Sequence, residues 1–358
     1  MTLAASTEDY DRLWSKAVLY RGSAGGWLKE ARLLGREQVD WYDFHDGSHR
    51  DEGFSNRRTR LGADLLFRAG LSFKLEVDWA ARAGAFHYNK LTDCFLKQEW
   101  GEGYALTIGK QSTRITLDGA TPANVLLTIE RSAIAWNIGV PEDSVPGICL
   151  ERTQGPWYLR AGLYSAGAST PGFGDFNAAL FGVFSVGHEF AAVGSAGHSL
   201  LRLDYMLQGA DPQNATGKPA AFTRDHAQVW SLNYHYERGP WALGLDLAAS
   251  DGRGAQSDLR GLQVMPSYAF DENWQVVFRY TLMASADPDG LRFTRYENMV
   301  NAGHGDRYEE CYFGLNRYFY GHKLKWMFGC QHTSMQDVAA NGGAYHGWGL
   351  SSGFRVWW

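Results

Sequence analysis

Cysteine is scarce in this chain: four residues, Cys94, Cys149, Cys311 and Cys330, in a length of 358. No two form a C-x-x-C pair and none stands at metal-ligand spacing from a histidine, so neither a zinc site nor a covalent haem attachment is expected. The histidines are dispersed. His45 and His49 are four apart but fall in a loop pattern, where the paired ligands of a metal-binding helix do not arise. Long apolar runs are missing as well. Without about 18 consecutive apolar residues there is no candidate transmembrane helix, in keeping with a mean hydropathy of −0.34. Proline is limited to 10 residues and charged residues to 20%; that charge density is too low for a disordered chain. The net charge of −5 gives no electrostatic footprint for nucleic acid. G-x-S-x-G, H-E-x-x-H and the P-loop are absent, and Gly22-Ser23-Ala24-Gly25-Gly26 lacks the strand-then-helix setting of a nucleotide fingerprint. The expectation is therefore no catalytic set, no cofactor and no metal. At the N-terminus, Met1-Thr2-Leu3-Ala4-Ala5-Ser6 has no charged or apolar region of a signal peptide. Either the protein is not exported or a signal peptide has already been removed.

What the chain does have is glycine, with 42 residues, and aromatics, at 14% with 14 Trp and 18 Tyr. Its apolar residues recur with period two, the period of a strand. Leu71, Phe73, Leu75, Val77 and Trp79 oppose Ser72, Lys74, Glu76 and Asp78. Trp157, Leu159, Ala161 and Leu163 oppose Tyr158, Arg160, Gly162 and Tyr164. The last residues repeat it, with Trp348, Leu350, Phe354, Val356 and Trp358 on one face. A soluble sandwich would also alternate, but these strands are long, aromatics sit at their ends, and the connections alternate between short and long. The expected strands are 28–45, 54–67, 71–83, 89–100, 104–113, 147–154, 157–166, 180–190, 198–210, 226–238, 241–250, 259–270, 274–285, 306–320, 323–335 and 345–358. Tight turns such as Arg68-Ala69-Gly70, Gln154-Gly155-Pro156 and Arg238-Gly239-Pro240, and Ala191 to Gly197, alternate with longer segments near 46–53, 84–88, 112–146, 167–179, 211–225, 251–258, 286–305 and 336–344. This predicts an all-β transmembrane antiparallel barrel of 16 strands, with short periplasmic turns and long outer loops, in the bacterial outer membrane. A sheet in lipid must close, because an open edge leaves backbone groups unpaired. The expected division is an N-terminal periplasmic segment, 1–26, with Tyr10, Leu13, Trp14 and Val18 roughly at helical spacing, and a barrel over 27–358. Outer-membrane lipid and lipopolysaccharide would surround it.

Sixteen strands leave a water-filled lumen. The longest loop, 112–146, carries Ala133-Ile134-Ala135-Trp136-Asn137-Ile138, costly to expose, so it is expected to fold inward as a constriction. Alternation points Arg58, Arg60, Lys74, Arg160, Arg202, Arg279, Lys325 and Arg355 inward, with Lys110, Arg114 and Arg131 added by the loop. Inward acids are Asp64, Glu76, Asp78, Asp204 and Asp246. Two readings stand. The arginines favour anions, their guanidinium groups replacing water around phosphate or carboxylate oxygens; or they pair with acids on neighbouring strands and impose no preference. Small hydrophilic or anionic solutes are the expected partners. A second reading of the whole chain is a barrel that sheathes a partner, such as a redox conduit or surface complex. Cys311 and Cys330 flank the Gly321 turn on the lipid face, either as small apolar residues or as a hairpin disulfide.

Several segments resemble the phosphate-selective porin O/P family. Arg57-Arg58-Thr59-Arg60-Leu61-Gly62, running on to Phe73-Lys74-Leu75-Glu76-Val77-Asp78, is similar to its early hairpin. Ile108-Gly109-Lys110-Gln111, Thr128-Ile129-Glu130-Arg131-Ser132 and Ile138-Gly139-Val140 resemble its strand and "ERS" loop, and Gly314-Leu315-Asn316-Arg317-Tyr318-Phe319 its late G-x-N-x-Y strand. The resemblance implies a homotrimeric porin with an anion-selective constriction, and Arg131 maps onto the loop motif. Ser112-Thr113-Arg114 departs from the prolines usual after the Gly-Lys pair, and the family's phosphate-binding arginine ladder is not matched in full.

Overall fold

A computed structural model describes residues 7–82, 85–139, 144–165, 171–174, 180–191, 197–210 and 225–358. The strands are β1 (Leu28–His45), β2 (Arg50–Phe67), β3 (Leu71–Arg82), β4 (Ala85–Trp100), β5 (Tyr104–Ser112), β6 (Ser144–Gln154), β7 (Trp157–Ser165), β8 (Leu180–Ala191), β9 (Gly197–Gln208), β10 (His226–Arg238), β11 (Trp241–Gly252), β12 (Leu259–Ala269), β13 (Trp274–Ser285), β14 (Arg307–Tyr320), β15 (Leu324–Gln336) and β16 (Tyr345–Trp357). Each pairs antiparallel with its neighbours, and β16 closes the ring onto β1 from Trp348↔His45 to Trp357↔Arg36. The barrel is therefore all-antiparallel and closed, with sixteen strands as the alternation requires. β2 and β4 begin earlier than expected, at Arg50 and Ala85. The Ala191–Gly197 turn and most of the 167–179 and 211–225 segments lie outside the described residues.

Period two sorts the side chains. Along β14, Tyr308, Glu310, Tyr312, Asn316 and Tyr318 are buried on the inside, while Cys311 and Phe313 are exposed outside. The two cysteines share that outer face, but Cys311 stands opposite His332 and Cys330 opposite Phe313, so they are diagonal, and both are free thiols.

The N-terminal segment forms α1 (Thr7–Trp14), which docks on the turn end of the barrel. Tyr10 stacks on Tyr320 at 5.2 Å, and Trp14 Nε1 donates to the Trp357 carbonyl at 2.6 Å. Val18–Arg21 then pairs with β1 from Val18↔Arg32 to Arg21↔Glu30, below the point where β16 stops.

The lumen is not the open, water-filled space expected of sixteen strands. The segment between β5 and β6 carries α2 (Leu117–Ala120) and α3 (Ala133–Asn137), and Ile115, Ala133, Ile134 and Ile138 are at most 1% exposed. They pack with Leu291 and Phe293, from the segment after β13, against inward residues such as Val145, Phe181, Val183, Met206, Val229, Leu259 and Met283. Gly261 leaves the room: a Cβ there would lie 2.7 Å from Ile134 Cγ1. The 286–305 segment, read from sequence as an outer polar loop, also turns in. Tyr296 Oη donates to Asp40 Oδ2 at 2.5 Å and stacks on Tyr42 at 4.8 Å, and Glu297, in α4 (Glu297–Val300), accepts from Tyr308 Oη at 2.9 Å and Gln331 Nε2 at 2.7 Å. An apolar core thus covers the inner wall of β6–β16 near the loop end, and free space remains along the opposite wall and, toward the turn end, between the inner segment and β10–β13.

Candidate functional site

The wall of β1–β5 supplies one face of that space. Its charge follows from alternation plus bulges in β2 and β4. The β1–β2 ladder runs Gln38↔Arg58 and then Val39↔Asn56, leaving Arg57 as an extra residue. A bulge of one residue reverses which face each position takes. Arg57 and Arg58, adjacent in sequence, are consequently both buried inside. Arg58 Nη1 donates to Gln38 Oε1 at 2.6 Å. Arg60 donates to Glu76 Oε1 at 3.0 Å and Asp78 Oδ1 at 3.3 Å, Arg36 lies 3.7 Å from Glu76 Oε2, and Lys74 Nζ donates to Asp93 Oδ2 at 2.7 Å.

The segment 113–139 supplies the other face. Its bonds to inward side chains on both sides of the ring can be made only from within it. Leu117 N donates to Asp246 Oδ2 at 2.8 Å, Asn316 Nδ2 to the Leu127 carbonyl at 2.9 Å, and Lys325 Nζ to the Leu126 carbonyl at 2.6 Å. Arg57 forks onto Glu130. Burial alone would raise the Glu130 carboxyl, but the Arg57 charge and its hydrogen bonds outweigh it and hold the group down to about 2, so this anchor is ionised throughout the neutral range. Arg131 donates to the Asp118 and Thr121 carbonyls and fixes the α2 turn. Burial brings the Arg131 guanidinium down to about 10, which leaves it charged at neutral pH.

Between the two faces is a cavity of about 210 Å³. Seven basic residues line it, Arg36, Arg58, Arg60, Lys74, Lys97, Arg114 and Arg131, against two acids, Glu76 and Asp93. Phe95, Pro122 and Ala123 add apolar surface.

Of the residues singled out from sequence, Arg58, Arg60, Lys74, Arg114 and Arg131 meet here. Arg160, Arg202 and Arg279 point inward as expected, but they brace the inner segment instead of lining this space. Arg160 donates to the Thr113 carbonyl and to Tyr164 Oη at 2.6 Å; Arg202 forks onto Asp204 and reaches the Thr116 carbonyl at 3.1 Å. Arg279 forks onto Glu310. Lys110 is placed differently from the expectation. Thr107 and Gln111 line the cavity, so alternation puts Lys110 on the other face of β5, where its Nζ donates to the Gly172 carbonyl at 2.6 Å. Replacing Lys110 with Gln should accordingly leave ion selectivity unchanged in a planar bilayer; a shift of reversal potential would return it to the passage.

Sequence reasoning missed Arg36, Arg57, Phe95 and Lys97. β1 shows no clean alternation around Leu33–Trp41, and β4 carries two register shifts against β3, at Glu76/Val77 and Asp78/Trp79. The adjacent arginines were the available signal. Strict alternation would turn one of them to lipid, at a cost of several kcal/mol, about 2–4 at the bilayer midplane, and a bulge avoids that.

Among solved structures, the anion-selective porin from Comamonas acidovorans superposes with a TM-score of 0.61 at 11% identity, covering 92% of this chain and 99% of that one. Pseudomonas putida OprB gives 0.61 at 12% identity, over 98% and 96% of the two chains. The outer-membrane OmpT of Vibrio cholerae gives 0.59 at 13% identity, over 95% and 99%. At such identities the likeness shows the fold. No curated protein sequence matches the chain. The model of the family "Phosphate-selective porin O and P" matches residues 32–342. With a closed barrel that keeps a charged gap along one inner wall, this is an outer-membrane porin, and the chain belongs to the phosphate-selective porin O and P family.

Proposed function

We propose that the porin passes small hydrophilic solutes with a preference for anions, through the gap between the β1–β5 wall and the inner segment 113–139, which serves as the constriction. The observation that carries this reading is the lining of that gap, seven basic residues to two acidic. In a narrow passage with low-dielectric walls, an excess of one sign raises the local concentration of counter-ions. Both sequence readings of the arginines then apply: Arg57, Arg202 and Arg279 are paired with acids away from the gap, and gap residues such as Arg60 and Lys74 are also paired, yet the lining of the gap keeps a basic surplus. The sheath for a partner protein is disfavoured, because this chain's own core occupies much of the space a partner would need. The short turns and α1 face the periplasm in this reading.

The porin acts as a homotrimer. Glu37, midway along β1, lies on the outer face, where it accepts from Thr59 Oγ1 at 2.7 Å, and Asn56 Nδ2 reaches the same hydroxyl at 2.9 Å. A carboxylate facing acyl chains is costly, and a second protein surface over β1–β2 would remove that cost. Native mass spectrometry in detergent should give the trimeric mass; a monomer alone would overturn this.

The test of the channel is the reversal potential across a KCl gradient in a planar bilayer. Stepwise channels with chloride preference, and block by added phosphate, are the expected result. Open channels without preference would leave a general porin and remove the gap's charges from selectivity.

A further inference from the structure

We propose that the outer surface of β5–β9 holds one glycerophospholipid of the periplasmic leaflet, with its phosphate on Arg152 and an acyl chain lying along Ala161. The identity of the leaflet rests on the proposed placement of the short turns in the periplasm; the groove itself does not.

The outer residues of these strands form two rows. The ladder sets Tyr104, Arg152, Leu159, Val186 and Leu203 side by side, and next to them Leu106, Leu150, Ala161, Phe184 and Tyr205. Ala161 is exposed between Leu150 and Phe184, themselves 42% and 49% exposed. A small side chain between large ones leaves a trough, and a groove of about 560 Å³ is found there, lined almost wholly by apolar groups. Because the strands tilt, each row climbs as it crosses the sheet. Arg152 is two residues from the turn end of β6, while Leu203 is midway along β9. The groove therefore runs from the membrane edge toward its middle, the path of an acyl chain.

At its edge stands an outward-facing charge, Arg152, whereas Arg160, also in the lining, turns its guanidinium into the barrel. Arg152 shares the outer face with Ile148 and Leu150. Its guanidinium lies 4.8 Å from the centre of the Tyr104 ring, and Nη2 donates to Gln154 Oε1. An arginine on a lipid-facing surface near the interface carries its charge to headgroup level. Held over a tyrosine at the membrane edge, its guanidinium offers a phosphate a directional, charge-assisted hydrogen bond. The outer face of β1–β2 differs: there the Glu37 carboxylate, bonded by Thr59, would repel a phosphate. A second copy of the chain therefore suits β1–β2, and lipid suits β5–β9. Phospholipid is the ligand in this leaflet because lipopolysaccharide occupies the other.

The experiment is native mass spectrometry of the folded porin, delipidated in detergent and then given phosphatidylglycerol, diacylglycerol with the same chains, or lipopolysaccharide. Retention of one phosphatidylglycerol per chain is expected, with diacylglycerol at least about tenfold weaker, the worth of a hydrogen bond to a charged group. Arg152→Gln should lose the preference for phosphate by a similar factor, and Ala161→Leu should abolish retention of both lipids by filling the trough. Heat-modifiable gel mobility verifies that each variant is a folded barrel. Equal retention of the two lipids, or retention unaffected by either variant, overturns the site. Binding of lipopolysaccharide in place of phosphatidylglycerol overturns the leaflet while leaving the bilayer selectivity result untouched, so this failure and failure of the channel reading are separable.

Discussion

Replacing Arg279 with Met should cost the barrel about 3–5 kcal/mol of stability, the range for removing one partner of a buried ion pair. Arg279 is 1% exposed on the side chain, as is Glu310. Its guanidinium forks onto Glu310 at 2.8 and 3.1 Å, donates to Thr128 Oγ1 at 3.0 Å and to the Glu130 carbonyl at 2.8 Å, and lies 3.5 Å from Asp118 Oδ2. Met preserves much of the volume but leaves two carboxylates without their cation. Nearly all of the penalty is thus a stranded charge, so Arg279→Met combined with Glu310→Gln should recover a large share of it. The same change frees the inner segment from two of its bonds to β13. Single-channel currents should become noisier as that segment moves. Urea unfolding in detergent measures the first effect; a loss below about 1 kcal/mol would mean the pair behaves like a solvated surface bridge, and that the inner segment is not packed as described.

The barrel was legible because lipid on one side and protein or water on the other enforce strict alternation over many residues. Turn chemistry supplied the ends, as at Gly155, Gly239 and Gly321, each with φ near +50°. The inward course of 113–139 was legible from one physical cue, the apolar run Ala133–Ile138. The inward course of 286–305 was not, since Phe293 and Tyr296 are separated by polar residues and their partners lie on strands remote in sequence. The charged wall was read in part. Arg58, Arg60 and Lys74 follow from alternation, whereas Arg57 and Lys97 depend on the bulges of β2 and β4, which shift the phase without any glycine or proline to announce them. Sequence could also not divide the inward arginines between the gap and the braces of the inner segment, because that division depends on where a loop's carbonyl groups come to rest.

The gap's charges differ in what they can be asked to do. Arg58 and Arg60 are held by Gln38, Glu76 and Asp78, and reversing them would strand charges inside the wall. Lys97 and Arg114 keep 32% and 52% of their side chains exposed and pair, among the described residues, with Glu99 and Glu151. These two should therefore set selectivity without setting stability. Lys97→Glu with Arg114→Glu leaves five basic residues against four acidic around the gap, and the reversal potential in a KCl gradient should fall nearly to zero while the unfolding midpoint moves little. The effect is a matter of range as well as sign. Fixed charges act over a Debye length of about 10 Å at 0.1 M salt and about 3 Å at 1 M, so the anion preference of the unmodified porin should itself weaken as the KCl concentration is raised. A double variant with undiminished chloride preference would shift selectivity to the buried arginines, whose fields reach the passage even though their hydrogen bonds are spent on the wall.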